Sequence, residues 1–186
     1  MKVTRQQAEK NRERVLEVAG RVFREKGFDG VGVADLMKSA GLTHGGFYAN
    51  FNSKEDLMAE SCERSLAKLN EDWNKAADRK NGDLLRAVVA AYLSTSHRDD
   101  PGNGCLIAAL GSDVARKSPA VRHSVTEGVR PFLELLTRAT PGRTRVASRR
   151  RALVIYASLV GAMVLARAVD DPALSKGILE AVKASV

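Results

Sequence analysis

The chain has 186 residues, enough for one domain or two small ones with a buried hydrophobic core. It carries 30 basic and 22 acidic residues, a formal net charge of +8, and 44% of its residues are hydrophobic, which excludes a disordered protein. The positive charge favours an anionic partner, with nucleic acid first. Residues 1–54 hold 10 basic and 6 acidic residues, so half of the excess lies in less than a third of the chain.

The same residues argue against several other classes of protein. Cys62 and Cys105 are far apart and lack the spacing of a zinc site, so we expect no metal, no cofactor and a reducing, cytoplasmic setting. The longest apolar run, residues 152–166, is shorter than the roughly 20 residues of a membrane span, so a buried helix is expected rather than a membrane partner. None of the common catalytic motifs is present, and we expect no enzyme activity.

The first predicted helix begins after Thr4, which has capping-box spacing to Gln7. Gly27 suits the left-handed residue that ends it, and Phe28 should then fold back onto Phe23. Apolar residues recur on one face of this helix: Val15, Val18, Ala19, Val22 and Phe23.

A second short helix is predicted before Gly41, and a third one is predicted to start at Thr43. Phe47 and Phe51 are one turn apart, which gives the third helix a buried face. Three short helices, the last two joined by a tight turn with glycine, are typical of a helix-turn-helix.

The rest of the chain also shows helical spacing, broken where proline, glycine or aspartate cluster. Ser53 caps the next helix, with Asp56 three residues on. Helices are predicted over residues 54–79, 83–97, 106–117, 119–138, 145–169 and 172–184. The chain is therefore predicted to be all-α, with a helix-turn-helix domain over residues 1–52 and a second helical domain over residues 53–186.

The run from Gly27 to Leu57 resembles the DNA-binding region of the TetR family of transcriptional regulators. The resemblance rests on these features, which keep the family spacing without a gap: Gly27-Phe28, Ala40-Gly41-Leu42-Thr43, Gly45, Phe47-Tyr48, Phe51, Ser53-Lys54-Glu55 and Leu57. It is close over the first 60 residues. Beyond them it implies only an all-helical ligand-binding and dimerisation domain.

The resemblance also implies DNA contacts for particular side chains. His44 and Gly45 would face base edges, and Tyr48 and Lys54 would hold the phosphate backbone. The hydroxyl of Thr43 could reach a phosphate as well as cap the helix.

Five positions depart from the family or add to it. Many members carry Thr or Ser where Gly32 and Val33 stand, so a phosphate contact made by a hydroxyl is lost here. Asn50 replaces a common histidine, and it could pair with adenine or contact a phosphate or the backbone. Lys2 and Arg5 could extend the DNA contact from an N-terminal arm.

The helix over residues 145–169 is apolar almost all round, which requires burial on more than one side. It could be the central helix of a monomer, or it could pack against its copy in a homodimer, as the resemblance implies. Such a dimer would read an approximately palindromic double-stranded operator with two recognition helices about 34 Å apart. The candidate interface residues are Tyr156, Ala157, Val160, Gly161 and Val164.

The resemblance further implies a small-molecule effector between the middle helices. Trp73, Tyr92 and Met163 could line its pocket, although each is equally explained as core. Cys105 stands at a predicted helix start, where the dipole favours a thiolate, and a free cysteine is otherwise a small buried group.

The sequence thus predicts a DNA-binding transcriptional regulator, a repressor that a small molecule releases from its operator. Two alternatives stay open at this point. One is an architectural protein that binds DNA without sequence choice. The other is a redox or electrophile sensor that acts through Cys105.

Overall fold

The computed structural model describes residues 4–79 and 84–186; Lys2 and Asp83, which the sequence analysis names, lie outside them. Within these ranges the chain forms nine α-helices, two 3₁₀ turns and no β-strand, which confirms the all-α prediction. The helices are α1 Arg5–Lys26, α2 Val33–Ser39, α3 Lys54–Arg79, α4 Leu84–Tyr92, α5 Thr95–Asp99, α6 Leu106–Val114, α7 Pro119–Ala139, α8 Arg145–Ala168 and α9 Pro172–Ser185. The 3₁₀ turns are His44–Gly46 and Pro101–Asn103.

Side-chain caps fix several helix starts where the sequence predicts them. The Thr4 hydroxyl accepts the Gln7 amide at 3.2 Å, and the Ser53 hydroxyl accepts the Asp56 amide at 3.0 Å. Asp171 accepts two amides at the start of α9. Each cap satisfies an amide that has no partner inside its own helix, which places these starts with local chemistry alone.

Beyond the helix-turn-helix, two predicted helices are wrong in extent. The helix over residues 83–97 is interrupted after Tyr92, because Ser94 is extended and its hydroxyl accepts the His97 amide at 3.2 Å to begin α5. The helix over residues 106–117 ends at Val114.

The N-terminal helices enclose a first hydrophobic core. Gly27 has a φ of +77°, and the turn it makes brings Phe28 onto Phe23 with ring centroids 5.1 Å apart, as predicted. Phe47 and Phe51 are both buried. The core also includes residues of α3, α6 and α7, so the helices on both sides of the residue 52/53 division pack together, and that division stays a prediction.

A second core joins α4, α6, α7, α8 and α9. Leu159 and Met163 of α8 are fully buried in it. Among the described residues, α8 is the one helix long and apolar enough to cross a membrane by length and composition. Its buried face packs on α6, α7 and α9, as the core helix of a folded domain does.

Candidate DNA-binding surface and effector cavity

The helix-turn-helix is closed by a glycine turn. Gly41 has a φ of +69°, and the Leu42 amide donates to the Met37 carbonyl at 2.9 Å across it. Residues 43–51, which we call the recognition segment, then begin with Thr43 in an extended conformation.

The recognition segment is a shorter helix than the sequence predicts. It consists of the 3₁₀ turn His44–Gly46 and one following α-turn, in which the Phe51 amide donates to the Phe47 carbonyl at 3.0 Å. Two adjacent glycines explain the difference, since each one costs about 1 kcal/mol in a helix relative to alanine. The Thr43 hydroxyl makes no cap here, contrary to the prediction, and the residue is exposed.

The side chains predicted to face DNA form one exposed surface. Thr43, His44 and Gly45 are exposed, and Tyr48 is exposed to 70%. The Tyr48 ring packs edge-on against buried Phe47 at 5.1 Å, so a fixed ring presents a free hydroxyl to solvent. A Cβ added to Gly45 would meet no atom within 4 Å, so the protein itself leaves this position open.

Two other predicted contact residues are less exposed. The Asn50 side chain donates to the Gly46 carbonyl at 2.8 Å, which favours the backbone role among the three considered. Lys54 is the first residue of α3 and is half-buried.

Sequence reasoning missed two basic residues beside the turn. Lys38 is exposed in the last turn of α2, and the Arg14 guanidinium lies against Gly41. Neither forms an ion pair with any residue that the structure describes. Arg12 is different, because it pairs with Glu60 and lies 5.1 Å over the Phe51 ring. Both could have been considered from the sequence, because Lys38 of α2 and Arg14 of α1 are basic residues of the helices that pack at the turn.

A cavity of about 350 Å³, which we call the effector cavity, lies between α3, α4, α7 and the Pro101–Asn103 turn. Trp73, Tyr92 and Cys105 line it together, as the sequence proposed for them. Met163 does not line it and is buried in the second core, which favours the core role that the sequence left open for it. Aromatic rings form the inner wall and polar groups form the rim: Ser94, Ser96, His97, Asp100 and Asn103.

His97 links two helices at the cavity. Its Nδ1 lies 2.7 Å from the Tyr92 carbonyl, and its Nε2 accepts the Cys105 amide at 2.9 Å. This pair of contacts requires the neutral ring with its proton on Nδ1. Burial lowers the pKa of His97, which favours the same neutral form.

The two cysteines have different surroundings. Burial raises the pKa of the Cys62 thiol to about 12, so it is protonated at neutral pH. Cys105 is also buried; it is the residue before α6, its side chain makes no cap, and it lines the effector cavity with Tyr92, while Tyr156 lies near its thiol. Burial, and then the nearby Cys105 thiol, raise the pKa of both tyrosines above its usual range, so both hydroxyls stay protonated.

An exposed apolar strip, the α8 stripe, runs along α8 and continues onto α9 at Leu174. From the predicted interface, Ala157 and Val164 are exposed in it, while Gly161 and Val160 belong to it and are half-buried. Its other members are Val146, Leu153, Val154 and Leu165. Tyr156 is placed differently, because its ring packs on Phe132 at 5.3 Å in the second core, so the structure corrects that interface assignment.

Known proteins match both halves of the chain. The family model "Bacterial regulatory proteins, tetR family" matches residues 15–60, and the model "Tetracyclin repressor-like, C-terminal domain" matches residues 82–182. The chain therefore belongs to the TetR family of bacterial transcriptional regulators, a family of DNA-binding proteins rather than enzymes.

Individual relatives agree with this assignment. The transcriptional repressor NemR of Escherichia coli K12 is 28% identical over 131 residues, or 69% of this chain and 66% of NemR. The regulator AcrR of Shigella flexneri is 35% identical over 96 residues, 50% of this chain and 45% of AcrR, so less than two thirds of either relative is matched. The crystal structure of E. coli NemR in its reduced form superposes with a TM-score of 0.79 at 25% identity, covering 95% of both chains.

Proposed function

We propose that this protein is a cytoplasmic, homodimeric repressor that binds an approximately palindromic operator and leaves it when a small molecule occupies the effector cavity. The recognition segment carries the proposal. Its buried phenylalanines fix it to the first core, while His44, Gly45 and Tyr48 stand free on the opposite face. Lys54, Lys38 and Arg14 add positive charge around it, which suits the phosphates on either side of a groove.

The α8 stripe supports the homodimer. Exposed leucine and valine side chains in one strip are unusual on a monomer surface and are typical of an interface between copies. Gly161 and Ala157 lie in the stripe, and their small size lets a second helix approach closely. Two recognition segments related by a two-fold axis explain why the operator should be palindromic.

The contact between α1 and the Pro101–Asn103 turn supports a link between cavity and DNA. Arg24 of α1 donates through Nε to the Gly102 carbonyl at 2.7 Å and through Nη1 to the Ser65 hydroxyl at 2.9 Å. The next residues of the turn, Asn103 and Gly104, line the effector cavity. A ligand that displaces the turn therefore moves α1, which packs on the helix-turn-helix.

Selection of bound sequences from random DNA tests the regulator directly. We expect an enriched palindrome, and DNA binding without enrichment would instead support the architectural alternative. On the selected operator, Tyr48→Phe and Lys54→Ala should weaken binding because each loses a phosphate contact. Lys183→Ala, an exposed lysine on α9, is the matched control and should bind normally. Unchanged mobility shifts for both recognition variants would contradict their roles.

Cys105 favours a second candidate function, a thiol sensor. It lines the effector cavity, and the similar protein NemR has been solved in a form described as reduced. Alkylation would join the sulfur to the reagent's carbon, expel the leaving group and release the thiol proton to water. Iodoacetamide should then release the operator from the wild-type protein but not from Cys105→Ser. Equal release of the operator from the wild-type protein and from Cys105→Ser would contradict the thiol-sensor function.

A further inference from the structure

A second cavity, which we call the cationic cleft, adjoins the effector cavity. It has a volume of about 410 Å³ and lies between α1, α3 and the Pro101–Asn103 turn. Leu69, Asn103 and Gly104 line both cavities, so the two spaces share a wall. This wall separates the aromatic cavity from the α1 residues that line the cleft.

The cleft is lined by more positive than negative charge. Its four cations are Arg21, Arg24, Arg64 and Lys68, and its two carboxylates are Glu17 and Asp72, so the lining carries a net charge of +2. Two carboxylates outside the lining reduce this excess, because Glu13 pairs with Arg64 at 2.8 Å and Glu25 lies 3.9 Å from Arg21. Arg24 and Lys68 are the two cations of the lining that form no ion pair with a described residue.

Arg24 is the cation whose surroundings point most directly to an anion. It is half-buried, and its hydrogen-bond partners, the Gly102 carbonyl and the Ser65 hydroxyl, are both neutral. No carboxylate of the described residues lies within 4 Å of it, and burial lowers its pKa because the charge has lost water. Glu25 and Asp100 act on it only from a longer distance, so a bound anion would compensate more directly for the lost water.

The adjoining effector cavity offers aromatic, apolar surface instead of charge. Trp73, Phe132 and Tyr92 line it with aromatic surface. The Tyr92 hydroxyl is buried beside the Cys105 thiol and forms no hydrogen bond with an oxygen or nitrogen of the described residues, so it can donate to a polar ligand group.

We propose that the two cavities form one binding site for an amphipathic anion, with its apolar or aromatic body in the effector cavity and its anionic group in the cationic cleft. This inference rests on the proposed function, because it names the chemical class of the effector. It also gives the release step a physical cause. An anion beside Arg24 competes with the Gly102 carbonyl for the guanidinium and so loosens the turn from α1.

The test compares two probes that differ by one charged group. 8-Anilinonaphthalene-1-sulfonate carries a sulfonate on the same ring framework as N-phenyl-1-naphthylamine, and both fluoresce when bound in apolar surroundings. Titration of the full chain without DNA should show the sulfonate binding about tenfold tighter or more, as a charge-assisted contact provides. The preference should shrink as salt is added.

Variants then locate the anionic group. Lys68→Gln combined with Arg24→Gln should abolish the preference for the sulfonate while the neutral probe still binds, since glutamine keeps a donor for the Gly102 carbonyl. Lys183→Gln, which removes one exposed charge outside the cleft, should keep the preference. Equal affinity of the wild-type protein for both probes would overturn the proposal, and so would a preference that the double variant retains, since the dye would then lie elsewhere, for example on the α8 stripe.

The assay also separates this inference from the proposed function. It contains no DNA, so a negative result here leaves an enriched operator and its mobility shift intact. A preference for the sulfonate without an enriched operator would support the ligand site and contradict the repressor function.

Discussion

Gly161→Leu separates the stability of the protomer from the stability of the dimer. A Cβ added at Gly161 meets no atom within 4 Å, so one protomer accepts a larger side chain without collision. Glycine is about 0.8–1 kcal/mol less favourable than alanine inside a helix, and leucine is close to alanine. The substitution should therefore stabilise α8 within the protomer by roughly 0.5–1 kcal/mol.

The same side chain should weaken the dimer. Inserting extra methylenes into a packed contact costs about 1–3 kcal/mol, and the two-fold symmetry inserts two leucines. The interface would then lose roughly 2–6 kcal/mol, which raises the dimer Kd by about 30-fold to 10⁴-fold.

Sedimentation velocity over a concentration series measures that Kd, and circular dichroism checks that the helices are retained. Lys183→Leu is the matched control. It adds the same side chain to α9 at an exposed position nine residues from Leu174, half a helical rotation away from the α8 stripe. The control should dimerise as the wild type does. A folded Gly161→Leu protein with the wild-type Kd would show that the stripe is not the interface.

Three further outcomes follow from single contacts. The pKa of His97 in the folded protein lies below its ordinary 6.5, so below about pH 6.5 the unfolded chain binds more protons and the folded protein should lose stability. Thermal unfolding at about pH 7.5 and about pH 5.5 should show this loss in the wild type. The control His123→Gln should show the same loss, and His97→Gln should not. Gly102→Ala should lower the Tm, since its methyl meets the Glu25 carboxylate and the Arg21 stem, whereas Gly177→Ala has open space and should not. Lys54→Ala should reduce the slope of log K against log salt for operator binding by about 0.9 per protomer.

Local chemistry made much of the fold predictable. Thr4, Ser53 and Asp171 act on amides two or three residues away, so the sequence contains both partners of each cap. The pairing of Phe23 with Phe28 is equally local, because one glycine with positive φ brings the two rings together. The exposed recognition residues could be foreseen because Phe47 and Phe51 define the buried face and the family spacing fixes the rest.

The wrong predictions concern residues whose surroundings depend on packing between distant parts of the chain. α8 is apolar almost all round, so its periodicity could not show that Tyr156 and Met163 face the second core while Gly161 faces out. His97 acquires its role from two backbone groups of different helices, one of them eight residues away. The cationic cleft is harder still to foresee, because α1 and α3 must first pack together before their basic residues share one space.

That packing changes what the net charge of +8 means. Counted along the sequence, Arg21 and Arg24 belong to the N-terminal excess that favours DNA. In the fold they line the cleft, where Lys68 from α3 joins them. If the cleft does not contact DNA, its charges displace no counter-ions from DNA. Lys68→Ala should then leave the salt slope of operator binding unchanged, whereas Lys54→Ala should lower it. An equal reduction by both would place the cleft on the DNA, and the anion that offsets Arg24 would then be a phosphate of the operator.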